Sequence, residues 1–224
     1  ERAGYTVVDS PSIIATHLTH IIERHASEIL GRQEVQSILD TLKSDYPAVV
    51  GEVSNTLQIG EIQKVLQGLL LEQTSIRNMV SILETLADYA TVSKDIGFLI
   101  EKCRQALGRQ ICLQYADEDK NLRVLTIQPQ LEQQIVASRL DTAGGPIAAL
   151  EPSQQRAWIE TLSNSVREVQ ERGEFPIILC SEAARPLIKS SSEREIPDLA
   201  VLSVPEIVAD MKIEALGEIR LGEV

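Results

Sequence analysis

The sequence predicts an α+β fold, in which an all-α helical subdomain is followed by a small α/β subdomain with a layered sheet. Up to about residue 115, apolar residues recur at the three- and four-residue intervals of amphipathic helices. Beyond that point, short apolar runs typical of strands alternate with helical segments, as in layered α/β domains. The 224 residues are 43% hydrophobic, which suffices for one large core or two smaller ones.

The first part of the chain is predicted to contain one strand and five helices. Its segments are a strand at 4–9, helices at 11–30 and 32–42, an apolar turn at 48–53, and helices at 60–72, 74–90 and 93–115. Ser10 can cap the first helix, and Gly31 can end it. The most regular pattern lies at 74–90, where Thr74 or Ser75 can cap a helix with a continuous apolar stripe.

The second part is predicted to alternate helices with strands. Its segments are a strand at 122–127, a helix at 129–140, a loop at 141–146, a helix at 152–173, a strand at 175–180, a helix at 182–190, and strands at 199–204 and 212–219. Trp158 falls in register with apolar residues of its helix, which favours core packing over ligand stacking. The chain is predicted to divide near residue 116 into a helical region, 10–115, and an α/β region, 116–224.

Charge and cysteine content restrict the possible functions. The chain has 21 basic and 33 acidic side chains and a net charge of -12, which repels nucleic acid and suits basic protein partners. Residues 116–224 carry the larger share, with 11 basic and 19 acidic side chains. Three cysteines without CxxC spacing indicate neither a disulfide framework nor a zinc ribbon. No apolar run reaches the ~18 residues of a membrane span.

No reactive constellation is evident, so catalytic, cofactor and metal sites are all predicted to be absent. His17, His20 and His25 share the first long helix, but their spacing is not that of a metalloprotease and no further ligand lies nearby. Cys103 and Cys180 belong to apolar stripes and are expected to be buried and inert. The AGGP segment lacks the frame of a phosphate-binding loop.

Two other function classes remain as alternatives. A hydrolase or transferase would use Ser181 or Cys180 at a strand end as its nucleophile, and would need His17, His20 or His25 within hydrogen-bond reach. A helical nucleic-acid-binding module would need a basic face, whereas residues 1–115 have 10 basic and 14 acidic side chains.

Several sequence blocks, taken in order, carry a family resemblance. They are GYTVVD, SPSIIATHL, HASEILGRQEVQSILD, LQIGEIQKVLQGLLLEQTSIRNMVSILETLADYA and RQALGRQI, followed by FPIILCS, RPL, IPDL and VLSVPEI. In these blocks the chain resembles the cytoplasmic domain of the type III secretion export-gate family, FlhA/SctV. Where that family commonly has aspartate after SIR, this chain has Asn78.

The resemblance implies a non-enzymatic component of a bacterial protein export apparatus. Family members join a membrane half to a cytoplasmic half of four subdomains, which forms a nonameric ring at the inner membrane. The implied partners are other copies of the chain, chaperone–substrate complexes, and the export ATPase complex with its stalk proteins. Nucleic acid is not expected, and the membrane is reached only through an N-terminal half that this chain lacks.

The resemblance also suggests individual site residues. It implies that residues 1–9 are the last strand of a preceding, truncated subdomain. Thr6, in the GYTVVD strand, is predicted to lie near the cleft that receives chaperones. Ring contacts in the family run chiefly through the helical subdomain. Arg32, Glu34, Arg77 and Glu84, polar residues within its matched motifs, are therefore the candidates for contacts between neighbouring subunits.

Overall fold

The computed structural model describes residues 10–142 and 144–221, which form two compact units within Glu1–Ile100 and Glu101–Val224. The first unit is helical, and the second combines helices with a parallel sheet, so the predicted α+β fold class is confirmed. None of the helices in the described ranges has both the length and the apolar character of a membrane span. The predicted subdomain limits at 9/10 and 115/116 stay predictions.

The first unit packs short helices around an apolar core. Its helices are α1 (Ser10–Arg24), α2 (Ala26–Ile29), α3 (Arg32–Lys43), α4 (Pro47–Thr56), α5 (Ile59–Leu71) and α6 (Met79–Ala90). Helix α6 packs on α4, α4 on α3, and α3 on α5, which also contacts α2. The side chains of Val35, Val53, Val65, Leu66 and Ile82 are fully buried. Helix α7 (Ile96–Ala106) begins in the first unit and ends in the second.

The second unit is built on a four-stranded parallel sheet in the order β5-β4-β1-β6. Its elements are α8 (Gly108–Tyr115), β1 (Asn121–Ile127), α9 (Pro129–Ala137), β2 (Arg139–Thr142), β3 (Gly145–Ala148), α10 (Pro152–Glu171), β4 (Ile177–Cys180), α11 (Arg185–Ser192), β5 (Ala200–Ser203), a 3-10 turn (Val204–Glu206) and β6 (Lys212–Ile219). Helices α9, α10 and α11 share one apolar core with the strands. Trp158 is fully buried there and donates a 3.0 Å hydrogen bond to Ser191, which confirms its predicted core role.

The predicted apolar turn at 48–53 is wrong, because these residues belong to helix α4. Pro47 occupies the first turn of the helix, and Val50, Val53 and Leu57 are buried at the intervals of one helix face. Valine has a low intrinsic helix propensity, so burial against neighbouring helices overrides the local preference.

Two predicted long helices are each divided in the structure. The helix predicted at 93–115 forms α7 and α8. Gly108, the first residue of α8, lies so close to Glu206 that a Cβ there would be 2.3 Å from the Glu206 main-chain oxygen. The helix predicted at 11–30 forms α1 and α2, because the chain turns at His25. Close backbone contact and turns of this kind leave no mark in the apolar pattern.

Two further helix boundaries differ from prediction. The helix predicted at 74–90 begins only at Met79, because Thr74 closes the preceding helix. Helix α9 ends at Ala137, three residues early, and the following residues pair as strand β2. The predicted loop at 141–146 is therefore part of a β-hairpin. Its four-residue strands are too short to show an alternating pattern.

Candidate functional site

The charged residues predicted for a subunit interface all lie on the surface of the first unit. Arg32, Glu34, Arg77 and Glu84 are each exposed to solvent. Thr6, predicted near a chaperone cleft, lies outside the described residues, as does the predicted strand at 4–9. The candidate site is therefore the set of exposed charges on α3, α5, α6 and the segment that leads into α6.

A helix-ending motif places Arg77 outside helix α6. Gln73 adopts a left-handed conformation with φ 56°, and the two main-chain bonds of a Schellman motif close α5 beside it. One bond joins the N–H of Thr74 to the oxygen of Leu69 at 2.9 Å. The chain then runs without helical structure to Asn78, so Arg77 stands just before the first turn of α6.

Helix α6 carries charge of the unfavourable sign at both ends. Its N-terminus has a partial positive charge and its C-terminus a partial negative one, so nearby acids and bases, respectively, stabilise a helix by about 0.3–1 kcal/mol each. Here Arg77 precedes the first turn and Asp88 lies in the last turn. Both residues are exposed. These charges therefore do not serve the stability of their own helix.

Two acids also lie one turn apart on the outer face of α6. Glu84 and Asp88 are both exposed and are separated by four residues, a spacing that makes like charges repel by about 0.2–0.5 kcal/mol. Neither carboxylate has an ion-pair partner among the residues that the structure describes. The opposite face of the helix is buried, at Ile82, Leu83 and Leu86.

Arg32 on α3 and Lys64 on α5 are exposed bases of two helices that pack on each other. The Arg32 guanidinium covers Gly60, because a Cβ at that glycine would be 3.3 Å from the Arg32 Nε and Nη2 atoms. Lys64 follows Gly60 by one turn of α5. Both cations are exposed, and neither contacts a carboxylate within the described ranges. Glu34 differs from them, since its carboxylate accepts the N–H of Gly31 at 3.0 Å and caps α3.

Sequence reasoning missed Lys64 and Asp88 as members of this surface. The signal for Asp88 was present in the sequence, because an acid in the last turn and a second acid four residues earlier are both unfavourable for a helix. No such signal existed for Lys64. The Arg32 guanidinium lies over Gly60, one turn before Lys64, only because α3 and α5 pack together in the tertiary structure.

The histidines do not form a metal site in the described part of the chain. No group of three metal-ligating side chains occurs there. His25 contacts Glu28 through its Nδ1 atom at 3.1 Å, and His20 lies 3.8 Å from Glu23. All three histidines are exposed to solvent.

Ser181 and Cys180 show no activated nucleophile in the second unit. The Ser181 hydroxyl accepts a hydrogen bond from the main-chain N–H of Ala184 at 3.3 Å. The main-chain N–H of Ser181 donates to the Glu132 carboxylate at 2.8 Å. Burial raises the pKa of the Cys180 thiol well above its ordinary value, so the thiol stays protonated. Burial likewise raises the pKa of Cys103 to about 12. The hydrolase alternative gains no support from these groups.

In contrast to the first unit, the second unit buries charged side chains. Arg104 donates from Nε to Glu206 at 2.6 Å, and both residues are at most 3% exposed. Arg185, 2% exposed, donates to both carboxylate oxygens of Glu101. Both arginines also reach the main-chain oxygen of Val201 in strand β5. These charges hold the sheet edge and are not available to a partner.

Comparison with known proteins gives matches over most or all of the chain. The model of the FHIPEP family matches residues 1–212. The chain is 50% identical over 223 residues to the flagellar biosynthesis protein FlhA of Borreliella burgdorferi, and the match covers 100% of this chain and 32% of that protein. The chain therefore spans about a third of the length of this relative.

Two solved structures resemble the fold closely. The Chlamydia pneumoniae CdsV and CdsO protein complex aligns with a TM-score of 0.89 and 27% identity, covering 98% of this chain and 64% of that one. The nonameric EscV cytosolic domain from the type III secretion system aligns with a TM-score of 0.80 and 26% identity, covering 95% and 63%. These matches confirm the resemblance found in the sequence motifs and, with it, the expectation that the chain is not an enzyme. The chain belongs to the FHIPEP family.

Proposed function

We propose that this chain is the C-terminal cytoplasmic part of an export-gate subunit in a bacterial protein export apparatus. In this role it assembles with other copies into a ring of nine at the cytoplasmic face of the inner membrane. The ring docks chaperone–substrate complexes and other export-machinery proteins, among them the export ATPase complex and its stalk.

The observation that carries the proposal is the likeness to a domain solved as a nonamer. A TM-score of 0.80 over 95% of this chain to the nonameric EscV cytosolic domain supports the same mode of assembly. The 50% identity to a flagellar FlhA, against 26–27% to CdsV and EscV, supports a flagellar apparatus over a virulence system.

Charge supports the docking of protein partners. The net charge of -12 gives the surface a negative potential, which attracts basic segments of other proteins. The solved complex of CdsV with CdsO supports the binding of a second, different protein to a domain of this fold.

Negative-stain imaging and light scattering of the complete cytoplasmic domain test the proposal. We expect concentration-dependent assembly and particles with ninefold symmetry. Titration with the stalk subunit of the same apparatus should then show binding. A strict monomer at high concentration, without affinity for the stalk or for chaperone–substrate complexes, would contradict the proposed function.

The variant Arg77→Glu separates assembly from folding. Glutamate before the first turn of α6 suits the helix dipole, so the isolated subunit should be unchanged or more stable by up to about 1 kcal/mol. Ring assembly should nevertheless weaken, because the cation is lost from the candidate interface. Arg167→Glu, at an exposed position of α10, is the control with the same charge change. Unchanged assembly in Arg77→Glu would remove Arg77 from the interface.

A further inference from the structure

A groove of about 450 Å³ lies in the second unit, between helix α9 and the turn that follows strand β4. Strands β1 and β4 pair in parallel, and α9 and the turn follow the carboxyl ends of these two strands. Open parallel sheets bind their ligands at this edge, outside the carboxyl ends of the strands. The volume falls within the range of about 300–1,000 Å³ that is common for ligand sites.

The walls of the groove are mainly apolar. Pro129, Val136 and Ala137 line it from α9, and Ala183 lines it from the turn. These side chains are exposed or half-buried, so the groove is open to solvent. An aliphatic chain that lay in the groove would bury apolar surface on both sides, which is favourable.

One carboxylate, that of Glu132, lies among these apolar walls. Its Oε1 atom accepts the main-chain N–H of Ser181 at 2.8 Å, which holds the carboxylate between α9 and the turn. Glu132 is half-buried, and its second oxygen has no hydrogen-bond or ion-pair partner among the described residues. None of the described residues that line the groove is basic. The groove therefore holds a negative charge without a cationic partner.

Charge complementarity selects the occupant of the groove. A neutral apolar side chain would remove water from the Glu132 carboxylate without replacing its hydrogen bonds, which is unfavourable. A lysine or arginine instead covers apolar walls with its aliphatic stem and brings its cation to the carboxylate. Residues 116–224, with 19 acidic and 11 basic side chains, attract basic segments over longer distances.

We propose that this groove binds one lysine or arginine, flanked by apolar residues, from a basic segment of a protein partner. The stem of the basic side chain lies along the apolar walls, and its cation bonds to the Glu132 carboxylate. The groove is larger than a single side chain, so the apolar neighbours of the basic residue enter with it. The inference rests on the docking role proposed above and gives one docking contact a position and a chemistry.

A short peptide tests the groove in the complete cytoplasmic domain. The probe is the acetylated and amidated peptide Ala-Leu-Arg-Leu-Ala. Its control has citrulline, a neutral isostere, in place of arginine. Isothermal titration calorimetry should show that the arginine peptide binds more tightly than the citrulline peptide by about tenfold, the effect of a charged hydrogen-bonded partner.

Two variants of the groove and one control locate the binding. Glu132→Gln keeps an oxygen that can accept the N–H of Ser181 but removes the charge. It should weaken binding of the arginine peptide by about tenfold without weakening that of the citrulline peptide. Ala137→Leu fills part of the groove and should weaken binding of both peptides. Glu160→Gln, which removes an exposed charge from α10, is the matched control and should bind both as the wild type does.

The outcomes separate this site from the proposed function, once circular dichroism has verified that each variant is folded. Equal binding of the two peptides, or equal binding of the arginine peptide by the wild type and Glu132→Gln, would overturn the site. Hexylamine that bound as tightly as the arginine peptide would assign the groove to small amines and would also overturn it. A domain that forms the ring but fails these peptide tests would refute the groove alone. A domain that binds the peptide as expected but never assembles or binds a protein partner would contradict the proposed function instead.

Discussion

The two units of the chain differ in whether they bury charged side chains. Among the described residues of the first unit, the buried polar residues are the neutral Ser27, Thr74 and Thr85. The second unit instead buries four charged side chains, those of Arg104, Arg185, Lys189 and Glu206. The second unit thus combines an exposed set of charges with a buried set that belongs to its core, and no buried set of this kind occurs among the described residues of the first unit.

The parallel sheet explains the difference. An edge strand leaves main-chain groups without a strand partner, and edges of this kind must be covered. Arginine side chains bond to the Val201 oxygen of β5, and Lys189 bonds to the oxygens of Pro197 and Leu199. Helices satisfy most of their main-chain groups internally, and in the first unit a charge that caps a helix end, such as that of Glu34, lies at the surface.

The largest expected effect comes from removing one partner of a buried pair. Glu206→Ala removes the buried carboxylate that accepts a hydrogen bond from Arg104 Nε, and we expect the free energy of unfolding to fall by about 3–5 kcal/mol. Urea denaturation, monitored by circular dichroism, measures this free energy of unfolding. Glu214→Ala, which removes an exposed carboxylate that contacts Arg123, should cost no more than about 1 kcal/mol.

A double variant distinguishes the charge from the packing. Arg104→Met/Glu206→Gln removes the buried charge together with its partner and should be less destabilised than Glu206→Ala. If Glu206→Ala cost no more than Glu214→Ala, the buried charges would not hold the second unit together, and the contrast between the units would fail.

An intermediate effect is expected from the same substitution at one glycine of each unit. A Cβ at Gly108 would lie 2.3 Å from the main-chain oxygen of Glu206, whereas a Cβ at Gly68 would lie 2.3 Å from the Ile100 side-chain end. The main chain at Glu206 cannot move without disturbing the buried Arg104–Glu206 pair. Gly108→Ala should therefore lower the free energy of unfolding by about 1–3 kcal/mol. Ile100 can rotate, and alanine favours the α5 helix by about 1 kcal/mol, so Gly68→Ala should be nearly neutral.

Thermal denaturation of the two glycine variants measures this difference. Equal melting temperatures would show that the second unit adjusts its backbone as readily as the first adjusts a side chain. A crystal structure of Gly108→Ala should show displacement of the turn that contains Glu206.

The smallest effect is expected at a surface ion pair of the second unit. Hydrogen bonds from Lys120 and Arg109 lower the pKa of Asp210 to about 2. A folded-state pKa below that of the unfolded chain means that the carboxylate stabilises the fold above about pH 4. This contribution is lost as the pH falls from about 4 toward 2.

Melting temperatures of the wild type and Asp210→Asn, recorded between pH 6 and pH 2, measure this contribution. The gap between the two curves should be small, constant above about pH 4, and closed near pH 2. Asn164→Ser, at an exposed uncharged position of α10, is the control and should show no such convergence. A gap that persists at pH 2 would assign the effect of the substitution to something other than charge.

Local pattern sufficed for much of the fold. The stripe of Ile82, Leu83 and Leu86 is buried as an amphipathic helix requires, although the sequence prediction began that helix five residues early. Strand β6 has its predicted bounds at Lys212 and Ile219. The candidate surface was predicted only in part. Exposed polar residues are compatible with many tertiary arrangements, so their sequence positions do not reveal which of them lie side by side.

The amino-acid pattern alone determined most of the helices and strands, which of their faces are apolar, and which family motifs the chain carries, but it missed α4 and the hairpin of β2 and β3. These properties depend on residues within a few positions of one another. Tertiary packing decided the rest: Thr74 closes α5, Gly108 approaches Glu206, and the Arg104–Glu206 pair joins residues 102 positions apart. Whether a charge is buried in a pair or exposed to solvent depends on which distant segment packs beside it, and no local pattern records that choice.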